Sequence, residues 1–591
     1  RDRSHTIKDY SNQAWAFRAM DDATMRQANP WLYTDPENAN TLPVSVLPVG
    51  GFYRETKYSM DSYDFRGTAS YNDVYNENHI FNFFGGMEVN AVNRQRTWFN
   101  GVGMQYEMGM LPAYEYQYFK QGSEENAQYY TVERTRQREV SFFGTATYSY
   151  QGKYTLNGTL RYEGSNKLGK SRSARWLPTW NLSAAWNAHE EKFWQPLLNY
   201  VSNMTLKASY SLTADRGPAS ASNSRAIIQS YNTWRPFTSI KESGLRVVNI
   251  ENQELTYEKK HELNIGAEIG FLNNRINLAV DWYKRNNYDL IGIINTKGTG
   301  GQLTKLANVA SMKSHGIEFT LSTQNIKKKD FSWNTDFIFS NTKNEVTDLQ
   351  SNSSVIEMIS GSGFALEGYP VRSLFSMDFR GLNESGYPTF INEDGNLTVS
   401  NINFQERIKK DHLIYEGPTD PTITGSFGNS FKYKNFLLNL FITYSFGNVI
   451  RLDPVFHNQY SDLDAMPREF INRWTKGGDE KYTDIPVIAD KRANQQDPYL
   501  SYAYNAYNYS TARIAKGDFI RMKEISLTYN FPKKLIVRAG VSDLSLKLQA
   551  TNAFLIYSDK KLNGQDPEFF NTGGVASPVP QQFTLTLRLG I

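Results

Sequence analysis

The chain has 591 residues, 64 Lys+Arg against 60 Asp+Glu, no Cys, and 14% aromatic side chains. Mean hydropathy is -0.56, and no run approaches the roughly 18 consecutive apolar residues that a spanning helix needs, which excludes a helical transporter. The near-balanced charge offers no broad basic field for nucleic acid. Without Cys there is no disulfide framework, thiolate nucleophile or Cys-ligated metal.

Arg1-Asp2-Arg3-Ser4-His5 is followed by no apolar h-region and no small-residue cleavage site, so no signal peptide is visible. Asn12 to Gln27 reads as a short helix and Asn40 to Gly51 as a Pro/Gly-containing connector. Residues 1–59 are therefore expected to be a loop or connector region. From about residue 60 strict alternation takes over, the signature of strands. Tyr154, Leu156, Gly158, Leu160 and Tyr162 share one face, with Lys153, Thr155, Asn157, Thr159 and Arg161 on the other. Met204 to Tyr210, Leu263 to Ile269, Ile276 to Trp282 and Phe436 to Phe446 repeat the pattern, the last with the most apolar face. Further runs near 60–71, 79–92, 103–118, 138–150, 178–187, 309–322, 331–344, 371–382, 422–433, 518–530, 541–552 and 583–591 bring the expectation to roughly 17 strands. Strand direction counted back from Ile591 slips once within 345–421, so one strand there is miscounted.

Connections alternate in length. Gln151-Gly152, Phe271 to Asn274 and Lys434-Asn435 are tight turns, whereas about 213–258 and 448–517 are long and polar. Long strands, uneven rims and Tyr or Phe at strand ends (Tyr148, Tyr162, Tyr210, Tyr444, Phe446, Tyr529) predict an all-β fold: a transmembrane antiparallel β-barrel over 60–591, with long extracellular loops. A soluble β-sandwich or propeller is the alternative, disfavoured because soluble strands average about five or six residues. In the terminal strand Phe583, Leu585, Leu587, Leu589 and Ile591 form a membrane-facing set. Unpaired strand edges are costly in hydrocarbon, so strands preceding Arg1 are expected to complete the wall.

Several ordered segments resemble the SusC/RagA family of TonB-dependent outer-membrane transporters of Bacteroidetes-type bacteria. They include Tyr148-Ser-Tyr-Gln-Gly-Lys-Tyr154, Leu206-Lys-Ala-Ser-Tyr-Ser211, Asn264 to Ile276 with Asp281-Trp-Tyr-Lys284, and Gly316-Ile-Glu-Phe319. Glu367-Gly-Tyr-Pro-Val371, Tyr444-Ser-Phe-Gly447, Phe519 to Tyr529, Asp566-Pro-Glu568 and Pro578 to Ile591 continue the series. The resemblance implies a complete barrel of about 22 strands with an amino-terminal plug. It also implies a SusD-like surface lipoprotein as partner, energy from TonB-ExbB-ExbD acting through the plug, and import of oligosaccharides or peptides. Neither a TonB box nor a plug domain is visible in this sequence. A scaffolding subunit of an outer-membrane assembly, without transport of its own, and a soluble carbohydrate-binding β protein are the alternatives.

No catalytic, metal or cofactor motif stands out. The seven His are scattered with no i, i+4 pair, and Asn392 to Asn396 reads as a tight turn rather than a calcium loop. The candidate ligand-contacting residues are Tyr502, Tyr504, Tyr507 and Tyr509, in a loop with Asn505 and Asn508, because ring faces stack on sugars and amides bond hydroxyls. Packing within the loop is the alternative role for these rings.

Overall fold

Alternating residues give each strand one apolar and one polar face, and its backbone groups are satisfied by pairing edge to edge with neighbouring strands. The computed structural model describes residues 2–9, 32–35, 38, 40–41, 44–45, 51–113, 116–124, 129–217, 226–232, 243–298, 302–351, 353–402, 410–454, 468–537, 540–569 and 580–590. The expected helix at Asn12 to Gln27 and the terminal Ile591 lie outside the described residues. Among the described residues, sixteen strands form the wall: β1 (Asp2–Asp9), β2 (Gly51–Tyr75), β3 (His79–Gln105), β4 (Tyr130–Tyr150), β5 (Tyr154–Ser165), β6 (Trp176–Asn187), β7 (Val201–Asp215) and β8 (Glu258–Phe271). The second half comprises β9 (Ile276–Asn295), β10 (Thr304–Lys327), β11 (Phe331–Leu349), β12 (Ile423–Tyr433), β13 (Phe436–Phe446), β14 (Phe519–Asn530), β15 (Asp543–Ser558) and β16 (Gln582–Gly590). Each pairs antiparallel with the next in chain order. A two-residue strand, Leu111–Pro112, adds to the end of β3. Among the described residues no pairing joins β1 to β16, so the ladder is open between them.

The rims differ as the connection lengths foretell. Turns 76–78, 151–153, 272–275, 328–330 and 434–435 lie on one rim, and the insertions 216–257, 350–422 and 447–518 on the other. Gln151 and Gly152 both take positive φ, 52° and 69°, the twist that suits a tight hairpin.

Three expectations are corrected. No full-length wall strand occupies 103–118: β3 runs through to Gln105, and left-handed Gly109 and Met110 (φ 79° and 65°) turn the chain into the two-residue strand Leu111–Pro112, ahead of a helix at Tyr116–Glu124. The run 371–382 is not a wall strand. It splits into Ser373–Ser376 and Phe379–Leu382, which belong to small sheets off the wall, and β11 pairs directly with β12. That removes the slip in strand direction. Within 1–59, residues 2–9 form a wall strand along Phe52–Ser59 instead of a connector.

The outer face is marked by aromatic rows. Tyr75, His79, Tyr150, Tyr154 and Trp186 are successive cross-strand partners beside the short-turn rim. Eight residues along β5, about 26 Å of tilted strand, Tyr162 stacks on Trp176 at 5.1 Å, and Trp180 meets Tyr210 edge-on at 5.5 Å. Leu156, Leu160 and Leu182 project outward between the rows, each about half exposed. Two aromatic girdles around an apolar band are what a bilayer selects on a barrel wall. In β16 Phe583, Leu585, Leu587 and Leu589 are exposed, and so are Thr584, Thr586 and Arg588 on the other face of this edge strand.

Close cross-strand fits set local register. Tyr444 faces Gly425, and its hydroxyl donates to the Ile338 carbonyl at 2.8 Å across the glycine. A Cβ on Gly425 would lie 2.1 Å from that carbonyl oxygen.

Candidate functional site

The inner face of β2 to β5 carries charge where the outer face carries Leu and Phe. Arg66, Glu88, Ser141 and Glu163 are successive cross-strand partners. Their side chains form a ladder of alternating sign. Arg66 meets Glu88 at 3.2 Å, Arg161 bridges Glu88 at 3.0 Å and Glu163 at 2.8 Å, and Arg216 reaches Glu163 at 3.3 Å and Glu139 as well. The ladder lines a cavity of ≈ 490 Å³ with Asp64, Asn90 and Gln137. Its members are partly exposed, so each pair adds little stability. The array instead presents fixed charged donors and acceptors to the cavity. Arg161 was legible as a polar-face residue from alternation, and Glu163 continues that face two residues on. Arg66, Glu88 and Arg216 lie far apart in sequence, and only strand pairing brings them together.

The largest apolar core lies off the wall. Insertions 350–422 and 447–518 fold into one lobe around Met358, Ile359, Phe390, Leu500, Tyr504 and Tyr507. Helix α1 (Val355–Ile359) begins with a capping box in which the Ser354 backbone N–H donates to Glu357 at 2.8 Å. Helix α2 (Leu500–Asn508) turns the tyrosine-rich stretch into two faces. This reassigns the candidate ligand residues. Tyr504 and Tyr507 are 2% and 1% exposed. The Tyr504 hydroxyl donates to the Val487 carbonyl at 2.5 Å, and Tyr507 packs edge-on against Phe379 at 5.5 Å. Both rings are core, because helical spacing points them into the lobe. Tyr502 and Tyr509 are half-buried at its edge. Tyr502 pairs with exposed Tyr499 at 6.0 Å, so Tyr499, outside the expected set, offers the more accessible ring. Asn392 to Asn396 is a tight turn, the Asn392 Oδ1 accepting from the backbone N–H groups of Asp394 and Asn396.

Two buried arginines brace these elements, one joining the two insertions and one holding a rim loop to the wall. Arg451 donates to the carbonyls of Ser510 (2.8 Å), Phe375 (2.7 Å) and Ile359 (3.3 Å), joining both insertions. Burial pulls its guanidinium down to about 10, so it is charged at neutral pH. Arg521 on β14 pairs with Asp566 at 2.5 Å and Glu568 at 2.7 Å, pinning the loop after β15. Nothing local in the sequence signals that pairing across 45 residues.

A family model described as TonB dependent receptor-like, beta-barrel matches residues 3–544. TonB-dependent receptor P39 of Formosa agariphila is 26% identical over 586 residues, covering 90% of this chain and 53% of the relative. TonB-dependent receptor SusC of Bacteroides thetaiotaomicron is 26% identical over 482 residues, covering 78% and 44%. The chain thus spans about half the length of the curated relatives it matches. Among solved structures, the RagAB peptide transporter superposes with a TM-score of 0.74 at 21% identity, covering 91% of this chain and 56% of that one, a likeness of fold.

Proposed function

This chain belongs to the TonB dependent receptor-like β-barrel family of the bacterial outer membrane, and on that premise we propose that it forms the barrel portion of a SusC-like importer. Cargo is an oligosaccharide or peptide, captured with a SusD-like surface lipoprotein. TonB-ExbB-ExbD supplies energy through a plug in the complete protein. The observation that carries the reading is the two-faced ladder: lipid-compatible side chains and aromatic girdles outside, a ladder of paired charges lining a cavity inside. The lobe on the long-loop rim supports it, since a folded, arginine-braced structure can meet cargo and partner without collapsing into the lumen. The fold likeness to a peptide transporter supports the peptide class, and the oligosaccharide class rests on the resemblance to the SusC/RagA family.

The test is deletion of the complete gene, followed by uptake of fluorescent oligosaccharides and oligopeptides by whole cells. Loss of uptake of one class, with other outer-membrane proteins inserted normally, is the expected result. Unchanged uptake of both classes with loss of other outer-membrane proteins would overturn it in favour of a scaffold.

A further inference from the structure

We propose that the outer face of β3 to β6 binds a phosphate-bearing lipid of the outer leaflet, one acyl chain lying in a glycine-floored groove and the headgroup on a column of arginines. The site rests on the outer-membrane placement of the barrel and not on transport.

The groove lies between the two aromatic girdles. Ala69, Gly85, Gly144 and Leu160 are successive cross-strand partners, and the next row toward the short turns reads Tyr71, Phe83, Ala146, Gly158 and Leu182. Small side chains form the floor and Tyr71, Phe83, Leu160, Trp180 and Leu182 the walls of a cleft of ≈ 780 Å³. Internal packing does not require glycine at two floor positions. A Cβ on Gly158 would meet nothing within 4 Å, one on Gly144 nothing nearer than 4.0 Å, and neither has positive φ. Only Gly85 is close to a neighbouring backbone, at 3.1 Å. The free space opens outward, into the hydrocarbon.

Charge decides what fills it. On β4, Phe142 is followed toward the long-loop rim, on the same face, by Val140 and then Arg138, Arg136 and Arg134. Arg138 stands four residues above Phe142, about 13 Å along the strand, where the acyl region gives way to headgroups. All three arginines are exposed. Their hydrogen bonds go to neutral oxygens: Arg138 to the Val92 carbonyl and Asn93 Oδ1, Arg134 to Gln95 Oε1. Among the described residues none of the three forms an ion pair. Their inner-face neighbours are matched, Arg96 with Glu133 and Arg216 with Glu139. The acids in these outer rows, among the described residues, are Asp61, two strands from Arg136 across Asn93, and Asp2, three strands from Arg134 across Gln95 and Ser59; farther along the same face of β2, Lys57 is followed by Glu55. Unmatched cations stacked directly above an apolar cleft on the same strands fit an anionic amphiphile better than a protein helix, which would need no such column.

The test uses the full-length protein purified from outer membranes in detergent and depleted of lipid. Monophosphoryl lipid A is titrated in, dioleoylphosphatidylcholine serves as the zwitterionic comparison, and retained lipid is counted by native mass spectrometry. Lipid A is expected to be retained in preference to phosphatidylcholine. The triple variant R134A/R136A/R138A should weaken it on the order of 100-fold, given the surface attraction per basic residue. Gly158→Leu, whose Cβ meets nothing within 4 Å and whose side chain would project into the groove, should lower retention roughly tenfold, the scale of a lost apolar contact. Heat-modifiable gel migration confirms that both variants fold. Equal retention of phosphatidylcholine, wild-type retention by both variants, or a polypeptide occupying the cleft that lipid A does not displace would each overturn the proposal.

Discussion

Replacing Tyr507 with alanine is expected to loosen the lobe and leave the wall intact. The ring is 1% exposed and packs against Phe379. A buried aromatic side chain hides about 150–250 Å², and truncating one to alanine costs about 3–5 kcal/mol, because the cavity is only partly filled by relaxation. That loss falls on local opening of 350–422 with 447–518, so the open population should rise by roughly two to three and a half powers of ten. Limited trypsinolysis of intact outer membranes reads this directly, as faster cleavage inside those two insertions with unchanged heat-modifiability of the barrel. Tyr499→Ala, at an exposed ring, should stay within about 0.5 kcal/mol of the parent. If Tyr507→Ala kept parental protease resistance while cargo binding fell, the ring would be a ligand contact and the packing account would be refuted.

Arg521→Met should release the loop that holds Asp566 and Glu568, since it leaves the mostly buried Asp566 carboxylate without its partner, at a cost of about 1–3 kcal/mol, the exposed Glu568 adding little; hydrogen exchange over 559–569 reports it. Gly425→Ala should impair assembly of β11 to β13, because its Cβ would meet the Ile338 carbonyl oxygen at 2.1 Å and the Tyr444 hydroxyl at 2.3 Å, and a drop in folded barrel on unheated gels would show this. Burial, opposed in part by Ser376 and Arg451, raises the Glu416 carboxyl above its ordinary value of 4.5. Folding then favours the protonated form: the contribution is complete below about pH 4.5 and is lost as pH rises through the higher folded value. Exchange at 373–376 and 414–418, corrected for intrinsic rates, should therefore quicken over that rise, and Glu416→Gln should abolish the dependence.

Period-two alternation is a local property, set by which face of each residue meets lipid or water, so most wall strands and both rims were readable along the chain. The same locality explains the failures. The stretch 371–382 alternates, yet its first strand is buried on both faces inside the lobe, and alternation cannot say what lies beyond either face. The tyrosines at 502–509 looked like an open aromatic loop until helical geometry turned Tyr504 and Tyr507 inward. Sequence by itself determined that strands of this chain have one greasy and one polar side. Only the tertiary structure decided which distant residues share a side: it set Arg66, Glu88, Arg161 and Arg216 in one ladder, and Arg521 against Asp566. Pairing energy between strands depends on register across long separations, and no short window of residues contains that information.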